Sequence, residues 1–527
     1  MNRFEKFISF LSPSLALGRA RSFFALEQIR KYDAGSHSNR TKGWQANGGS
    51  SNVEILGALS TLRNRSRELV RNNPYAKKAI QIISNNVIGM GIRPKLTNAK
   101  KRDQVNILKA WKAWAETTEC DFEGNLNFYG IQALIMKAVA ESGDVIIRQR
   151  RVSTNGKDNQ KNIIPIKLQV CEGDFLDHTR NTGGSVNEPY TIQGVQFDAS
   201  GRKVGYWLFD RHPFDVLANG LVSTLVPISE VIHIFSVERP GQVRGVPFLS
   251  ASAMKLRDFD DYEDAQLMRQ KIAACFSVFI TDSSENLVGG IKNTKRDSKG
   301  NLSERVQPGI IEHLPAGKTV SFASPPGTTG YAEYSKTQLR GIAAGVGITY
   351  EALTGDLSNV NFSSGRMGWL EFHRQVQAWQ NNLIIPQCCD RAWRWFLDGC
   401  NIQGITSTEV IPVSWISPRR EMIDPVKEIK GMTDEIRAGL CSWGDQVAEL
   451  GYDPEELLIE LTNEARKFKE AELMLASDPR YDATRTNDPM TPPPPPGTVP
   501  PAAPGKSIKK QVKKQVKKQA KKQTVTK

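Results

Sequence analysis

The chain has 527 residues, 39% hydrophobic and 24% charged, an ordinary globular balance in a chain too long for one simple core, so roughly two to four structural units are expected. No run of about eighteen apolar residues occurs, which argues against a transmembrane helix. The net charge of +14 is unevenly placed: residues 491–527 carry ten lysines and no acids, leaving about +4 for the rest, so the basic balance mostly reports a tail.

Along the chain, Phe4, Phe7, Ile8, Phe10 and Leu11 are interrupted by Glu5 and Lys6 and followed by Pro13. That pattern fits an amphipathic or flexible arm better than a secretory signal. Residues 31–52, rich in Gly, Ser and Asn, read as a linker. Val53 to Asn73 reads as a basic helix with Arg63, Arg65, Arg67 and Arg71 along it, and Asn73-Pro74 restarts a second helix that breaks at Gly89-Met90-Gly91. Helices follow over 103–117, with Trp111 and Trp114, and over Asn127 to Glu141.

Residues 144–236 read as a mostly β unit, with strands at Asp144 to Arg151, Ile163 to Val170, Val204 to Phe209 and Val231 to Phe235. Ser252 to Ala274 predicts a long helix with Leu256, Phe259, Tyr262, Ala265 and Met268 at steps of three. A strand at Val278 to Ile280, a polar loop at 282–303 and a short β unit at Ile310 to Phe322 come next. Glu333 to Ala344 returns to helix, 354–365 is a polar loop, and Arg366 to Ile385 is an amphipathic helix that Pro386 interrupts. Residues 419–476 read as helical with a break near Gly439 to Gly444. Five prolines, Pro492 to Pro496, form a stiff linker before a Lys-Lys-Gln tail that is either helix or coil.

No catalytic or cofactor constellation emerges. Gly505-Lys506-Ser507 ends like a phosphate-binding loop, but Pro500 stands where the first glycine is needed. The seven cysteines contain no C-x-x-C pair and do not cluster with the six histidines, so free buried thiols are expected and neither a zinc site nor a disulfide framework. His233 and His373 lie on apolar faces and read as packed histidines. Asp258, Asp260, Asp261, Glu263 and Asp264 lie in one helical segment; a two-metal site needs acids converging from several elements. They read as a solvated face or as the acidic lining of a channel, where weak attraction for phosphates helps DNA slide.

Six stretches in order resemble lambda-type phage portal proteins. They are Leu62 to Pro74, Asn86 to Ile92, Glu172-Gly173-Asp174, Gly205-Tyr206-Trp207, Arg239 to Pro247, and Ala343 to Arg366. The resemblance covers about residues 50–400 and implies an α+β, mainly helical subunit with wing, stem, clip and crown, assembling as a ring around a central tunnel. The expected organisation is an N-terminal arm and linker (1–52), a wing (53–251), stem helices (252–347) flanking a β-containing clip (275–330), a tunnel loop and long wing helix (348–418), a helical crown (419–490) and a Pro-rich linker with a Lys-rich tail (491–527). Asp356, Ser358, Asn359, Asn361, Ser363, Ser364 and Arg366 are the candidate tunnel-loop residues, and the five acids at 258–264 are candidate stem or channel residues. Lys509, Lys510, Lys513, Lys514, Lys517, Lys518, Lys521 and Lys522 are the candidate polyanion-binding tail.

The implied partners are further copies in a dodecameric ring, double-stranded DNA, terminase, the major capsid protein and head-completion or tail connector proteins. No cofactor or metal is implied. The place is the virion's portal vertex, reached by assembly in the host cytoplasm. The competing readings are a DNA-processing enzyme, such as a nuclease or terminase subunit, and a non-portal virion protein.

Overall fold

The computed structural model describes residues 48–96, 101–152, 164–183, 188–216, 220–274, 278–282, 318–322, 330–406, 411–418 and 422–471, with a few isolated positions besides. The arm, most of the 31–52 linker, the 283–303 part of the polar loop, the proline run and the lysine tail lie outside them.

The first helix, α1 (Ser51–Asn72), buries Ile55, Leu59, Arg63, Ser66, Leu69 and Val70, a face at steps of three and four. Asn73 ends it and caps the next helix, α2 (Pro74–Val87), accepting from the Tyr75 and Ala76 amides at 3.0 Å each. Strand β1 (Arg93–Leu96) and helix α3 (Lys101–Ala115) follow. Trp111 and Trp114 of α3 are buried in an aromatic cluster with Phe128, Trp393 and Phe396. Helix α4 (Phe128–Ser142) is capped by Asn127 and stops at Gly143, whose φ of 92° favours glycine.

Seven strands follow: β2 (Asp144–Arg151), β3 (Ile166–Glu172), β4 (Tyr190–Ile192), β5 (Val195–Phe197), β6 (Lys203–Leu208), β7 (Thr224–Pro227) and β8 (Val231–Phe235). They make two antiparallel sheets, ordered β3-β2-β8 and β4-β5-β6-β7. Strand β2 is buried on both faces. Val145 and Ile147 join the helical core, while Ile146 joins a second core with Val195, Tyr206, Leu208 and Val231 of the β region. That double burial explains three consecutive apolar residues in an antiparallel strand.

Helix α5 (Ala253–Ala274), strands β9 (Val278–Asp282) and β10 (Lys318–Phe322), and helix α6 (Tyr331–Val346) come next. β9 and β10 pair antiparallel. α5 and α6 are antiparallel too: the Ser252 hydroxyl donates to the Ile342 carbonyl just before α5 starts, and Tyr262 packs on Tyr331 and Tyr334 farther along. Then come a short α7 (Tyr350–Thr354), α8 (Phe362–Trp379), a π-helical segment Gln380–Cys389, α9 (Asp390–Ile402), and β11 (Val413–Ile416), which pairs with β1. Helices α10 (Pro425–Arg437) and α11 (Trp443–Glu449) complete the first unit, which ends at Pro454. The second unit, from Glu455, is described here as most of helix α12 (Pro454–Glu470). No helix among the described residues is long and apolar enough to cross a membrane.

Two expectations are corrected. Pro386 does not interrupt the helix; it sits inside the π-helical segment, which runs on into α9. A wider turn relieves the clash that a proline ring makes with the carbonyl four residues before it in an α-helix. The same segment sends Gln387 to the edge of β8, where its side-chain amide bonds both the N–H and the C=O of Phe235. The 354–365 loop is also shorter than expected: Thr354 closes α7, and Phe362 to Gly365 are the first turn of α8. Asn361 and Ser364 form a capping box there, with Asn361 Oδ1 accepting from the Ser364 amide at 2.8 Å.

Gly143 is a strict test of this packing. A Cβ there would lie 2.7 Å from the Gly245 carbonyl oxygen, in a backbone conformation L residues rarely adopt. Gly143→Ala should cost about 1–3 kcal/mol, read as a lower urea midpoint; an unchanged midpoint would show that the two loops can part freely.

Candidate functional site

Four of the six portal-like stretches contribute to one surrounding, and three of them to one charge cluster. Asp144 opens β2 directly after Gly143 and is fully buried. Its Oδ1 accepts from Arg63 Nη2 of α1 at 2.8 Å, and its Oδ2 from Arg244 Nε at 2.6 Å. His233 Nε2 of β8 lies 3.2 Å from Oδ2. Arg63 also reaches Asp174 at 3.0 Å and the Ser142 carbonyl at 3.2 Å, and Arg244 Nη2 donates to the Gly173 carbonyl at 2.7 Å. Arg67, one turn along α1, bridges Asp174 at 2.6 Å and Glu172 at 2.8 Å. Gly173 has no room for a side chain, because a Cβ would run into the Asp144 carboxylate. Near this cluster Tyr206, from a fourth stretch, packs edge-on against His233.

Three arginines, Arg63, Arg67 and Arg244, face three carboxylates, Asp144, Asp174 and Glu172, so the cluster is neutral while His233 carries no charge. Burial alone would raise the Asp144 carboxyl; Arg244, Arg63 and His233 overcome that and hold it well below the ordinary carboxylate range. Burial also opposes ionisation of Asp174, but Arg63 and Arg67 hold it low. Burial pushes His233 down to about 4 against the pull of Asp144. His233 is therefore a packed histidine, as its apolar strand suggested. Glu172, Asp174 and His212 lie close enough to share a cation, but the Arg67 guanidinium already bridges the two carboxylates. The six described cysteines are free; burial pushes the thiols of Cys120, Cys171 and Cys400 up to about 12, which leaves them unreactive.

The described sequence-predicted site residues lie elsewhere and do not converge with this cluster. Asp356 accepts from the Ser358 hydroxyl (2.6 Å) and amide (3.1 Å), from the Tyr350 hydroxyl (3.0 Å) and from Lys336 (3.3 Å). The Ser358 hydroxyl bond leads these in holding its carboxyl far below the usual range. Asn361 and Ser364 are engaged in the α8 cap, while Asn359, Ser363 and Arg366 are exposed. Of the acids on α5, Asp258, Asp260, Asp261 and Asp264 are exposed. Glu263 is half-buried, accepts from the Tyr331 hydroxyl at 3.3 Å, and is raised by burial. The eight tail lysines lie outside the described residues.

Sequence reasoning missed Asp144, Asp174 and Arg244 as a set and counted Arg63 only as one basic residue of a helix. The available signal was an acid leading directly into Val145-Ile146-Ile147, since a charge beside a doubly buried strand needs a partner.

The model of the lambda family of phage portal proteins matches residues 37–380. A probable portal protein of Halomonas phage phiHAP-1 is 26% identical over 449 residues, covering 81% of this chain and 84% of that protein. The portal protein of Escherichia phage N15 is 24% identical over 494 residues, covering 83% and 90%, and portal protein B of Escherichia phage lambda is 22% identical over 509 residues, covering 85% and 92%. The chain belongs to the lambda family of phage portal proteins. It is a structural component of the virion rather than an enzyme, and the nuclease, terminase and non-portal readings fall.

The charge cluster sets a pH dependence. Asp144 and Asp174 are depressed in the folded state, so their stabilisation is present above about pH 4 and lost below it. His233 is depressed as well, so the unfolded chain binds the extra proton between about 6.5 and 4 and stability falls as pH drops through that window, by at most about 1.4 kcal/mol per unit. Urea midpoints should decline from pH 7 to pH 4, and the upper limb of that decline should flatten in His233→Gln. Asp144→Asn, which leaves Arg63 and Arg244 buried without their anion, should cost about 3–5 kcal/mol at pH 7. A loss below 1 kcal/mol would mean the cluster is not the fastening described.

Proposed function

We propose that this lambda-family portal subunit closes into a ring, a dodecamer on the family expectation, around a channel that passes double-stranded DNA into and out of the phage head. In this reading the ring sits at one vertex of the capsid and contacts the major capsid protein. It docks terminase during packaging in the host cytoplasm and later receives head-completion and tail connector proteins. One observation carries the assignment of parts: α5 and α6 run antiparallel, with the β9–β10 pair between them in sequence. That order suits a two-helix stem with a β-containing clip. The body from α1 to β8 is then the wing, α8 the long wing helix, and α10 to α12 the crown.

The segment 355–361 joining α7 to α8 is the proposed tunnel loop. Its exposed Ser358 and Asn359 are small and polar, able to touch phosphates and let them go, and Gly355 at φ 74° gives the chain its sharp exit from α7. The acids of α5 lie along the stem, and those of them that face the channel keep its wall from gripping DNA. The lysine tail is the polyanion-binding element.

Negative-stain images of the purified protein should show closed rings; a monodisperse monomer at high concentration would sink the reading. Asn359→Leu leaves the α8 cap intact and should preserve rings while lowering the yield of DNA-filled heads several-fold. Normal filling by such rings would remove the tunnel-loop assignment. Truncation after Met490 removes a segment with few apolar residues to bury, so rings should survive and salt-sensitive DNA binding should weaken.

A further inference from the structure

Two helices of the body each turn a half-apolar, charged face to solvent. At 100° per residue, Asp260, Asp261, Asp264, Leu267 and Met268 of α5 fall within one arc of about 120°, beside the buried Leu256 and Phe259 rather than opposite them. Leu267 and Met268 are 50% and 58% exposed. The middle of this face is acidic, with Arg257 and Lys271 at its two ends. Asp258 points to a different side, roughly 110° away.

On α8, the side opposite the buried Phe372, Val376 and Trp379 carries Arg366, Met367, Leu370 and Arg374. Met367 and Leu370 are 71% and 39% exposed. Glu371 pairs with Arg374 at 3.0 Å, an exposed pair of little energy, and the face stays net positive. α5 packs on α1 and α6, and α8 packs on α2 and the π-helical segment, so the two faces are carried by separately packed helices.

We infer that the α5 face of one copy docks on the α8 face of a second copy, so that Asp260, Asp261 and Asp264 meet Arg366 and Arg374 around a core of Leu267, Met268, Met367 and Leu370. The occupant is another copy of this chain because each face supplies what the other lacks: exposed apolar side chains on both, with carboxylates on one and guanidiniums on the other. Two unlike faces make a head-to-tail contact, the kind that generates a ring when the rotation closes. The inference rests on the ring reading above and names its seam. It also divides the acids of α5, leaving Asp258 free of the seam to face the channel.

The test uses the full-length chain carrying Leu267→Cys and Met367→Cys, oxidised after isolation. A ladder of crosslinked multimers is expected on a non-reducing gel, with monomer from either single variant. Wild-type rings in the microscope together with no ladder would overturn this seam and leave the ring standing; absence of wild-type rings would overturn both.

A charge swap covers the case in which the cysteine variants fail to fold. Asp261→Arg with Asp264→Arg should lower the ring fraction several-fold at low salt, as should Arg366→Asp with Arg374→Asp, and mixing the two variants should restore it. Ring fractions equal to wild type in both variants, or no recovery on mixing, would refute the contact.

Discussion

The body of the subunit depends on one buried carboxylate. Asp144 receives Arg63 from the first helix, Arg244 from the loop after β8, and His233 from β8 itself. Arg63 then passes the connection to Asp174, and Arg67 continues it to Glu172. Such a cluster is weak evidence of net stability, because taking Asp144, Asp174, Arg63 and Arg244 out of water costs about as much as their attraction returns. Its contribution is to exclude alternatives. Turning α1 about its axis would carry Arg63 away and leave Asp144 and Asp174 buried without it, whereas a purely apolar face would tolerate more such rotation.

That reasoning also gives a physical content to three sequence stretches that resembled the family. The arginines of Leu62 to Pro74, the acids of Glu172-Gly173-Asp174 and the arginine of Arg239 to Pro247 meet in one place. They are constrained by one another and by the lack of space at Gly173, not by contact with DNA. The lysines and arginines most conspicuous in a basic helix are therefore a poor guide to a nucleic-acid surface: Arg63 is 2% exposed.

Much of the fold was legible wherever the signal is local. Asn73-Pro74 and Asn127 announce helix starts through their own capping bonds, and Gly143 announces a stop through its φ. The long α5 and the strands β2 and β8 were readable from apolar period and length. Strands β4, β5 and β7 were not, because three or four residues carry too few alternations to register. The π-helical passage of Pro386 was hidden because a proline signals a missing donor, not how a turn might widen around it. The charge cluster was hidden because Arg63 and Asp144 are 81 residues apart, and no spacing rule joins them. For the loop, composition located a polar, glycine-marked stretch; what it could not say is that Asn361 and Ser364 cap a helix, which trims the free segment to 355–361.

The helix pair shows how the core runs out. The step-of-three stripe on α5 is buried at Leu256 and Phe259, half-buried at Tyr262, and exposed at Ala265 and Met268. A step of three residues drifts about 60° around an α-helix each time, so the stripe winds off the buried side and reaches solvent by Ala265 and Met268. Leu267 and Met268, exposed beyond the subunit's own core, are explained if other surface covers them, which is what the proposed ring asks of every member. The proposed tunnel loop meets a contrary demand. A surface past which DNA slides should offer few vacant donors and acceptors, since each strong contact adds a barrier to the next step. Asp356 is already engaged by Ser358, Tyr350 and Lys336, and Asn361 Oδ1 by the Ser364 amide. In the proposed channel these internal bonds would leave Asn359 and its neighbours as weak, replaceable contacts. The same small polar residues can thus be held in a defined shape and still grip little.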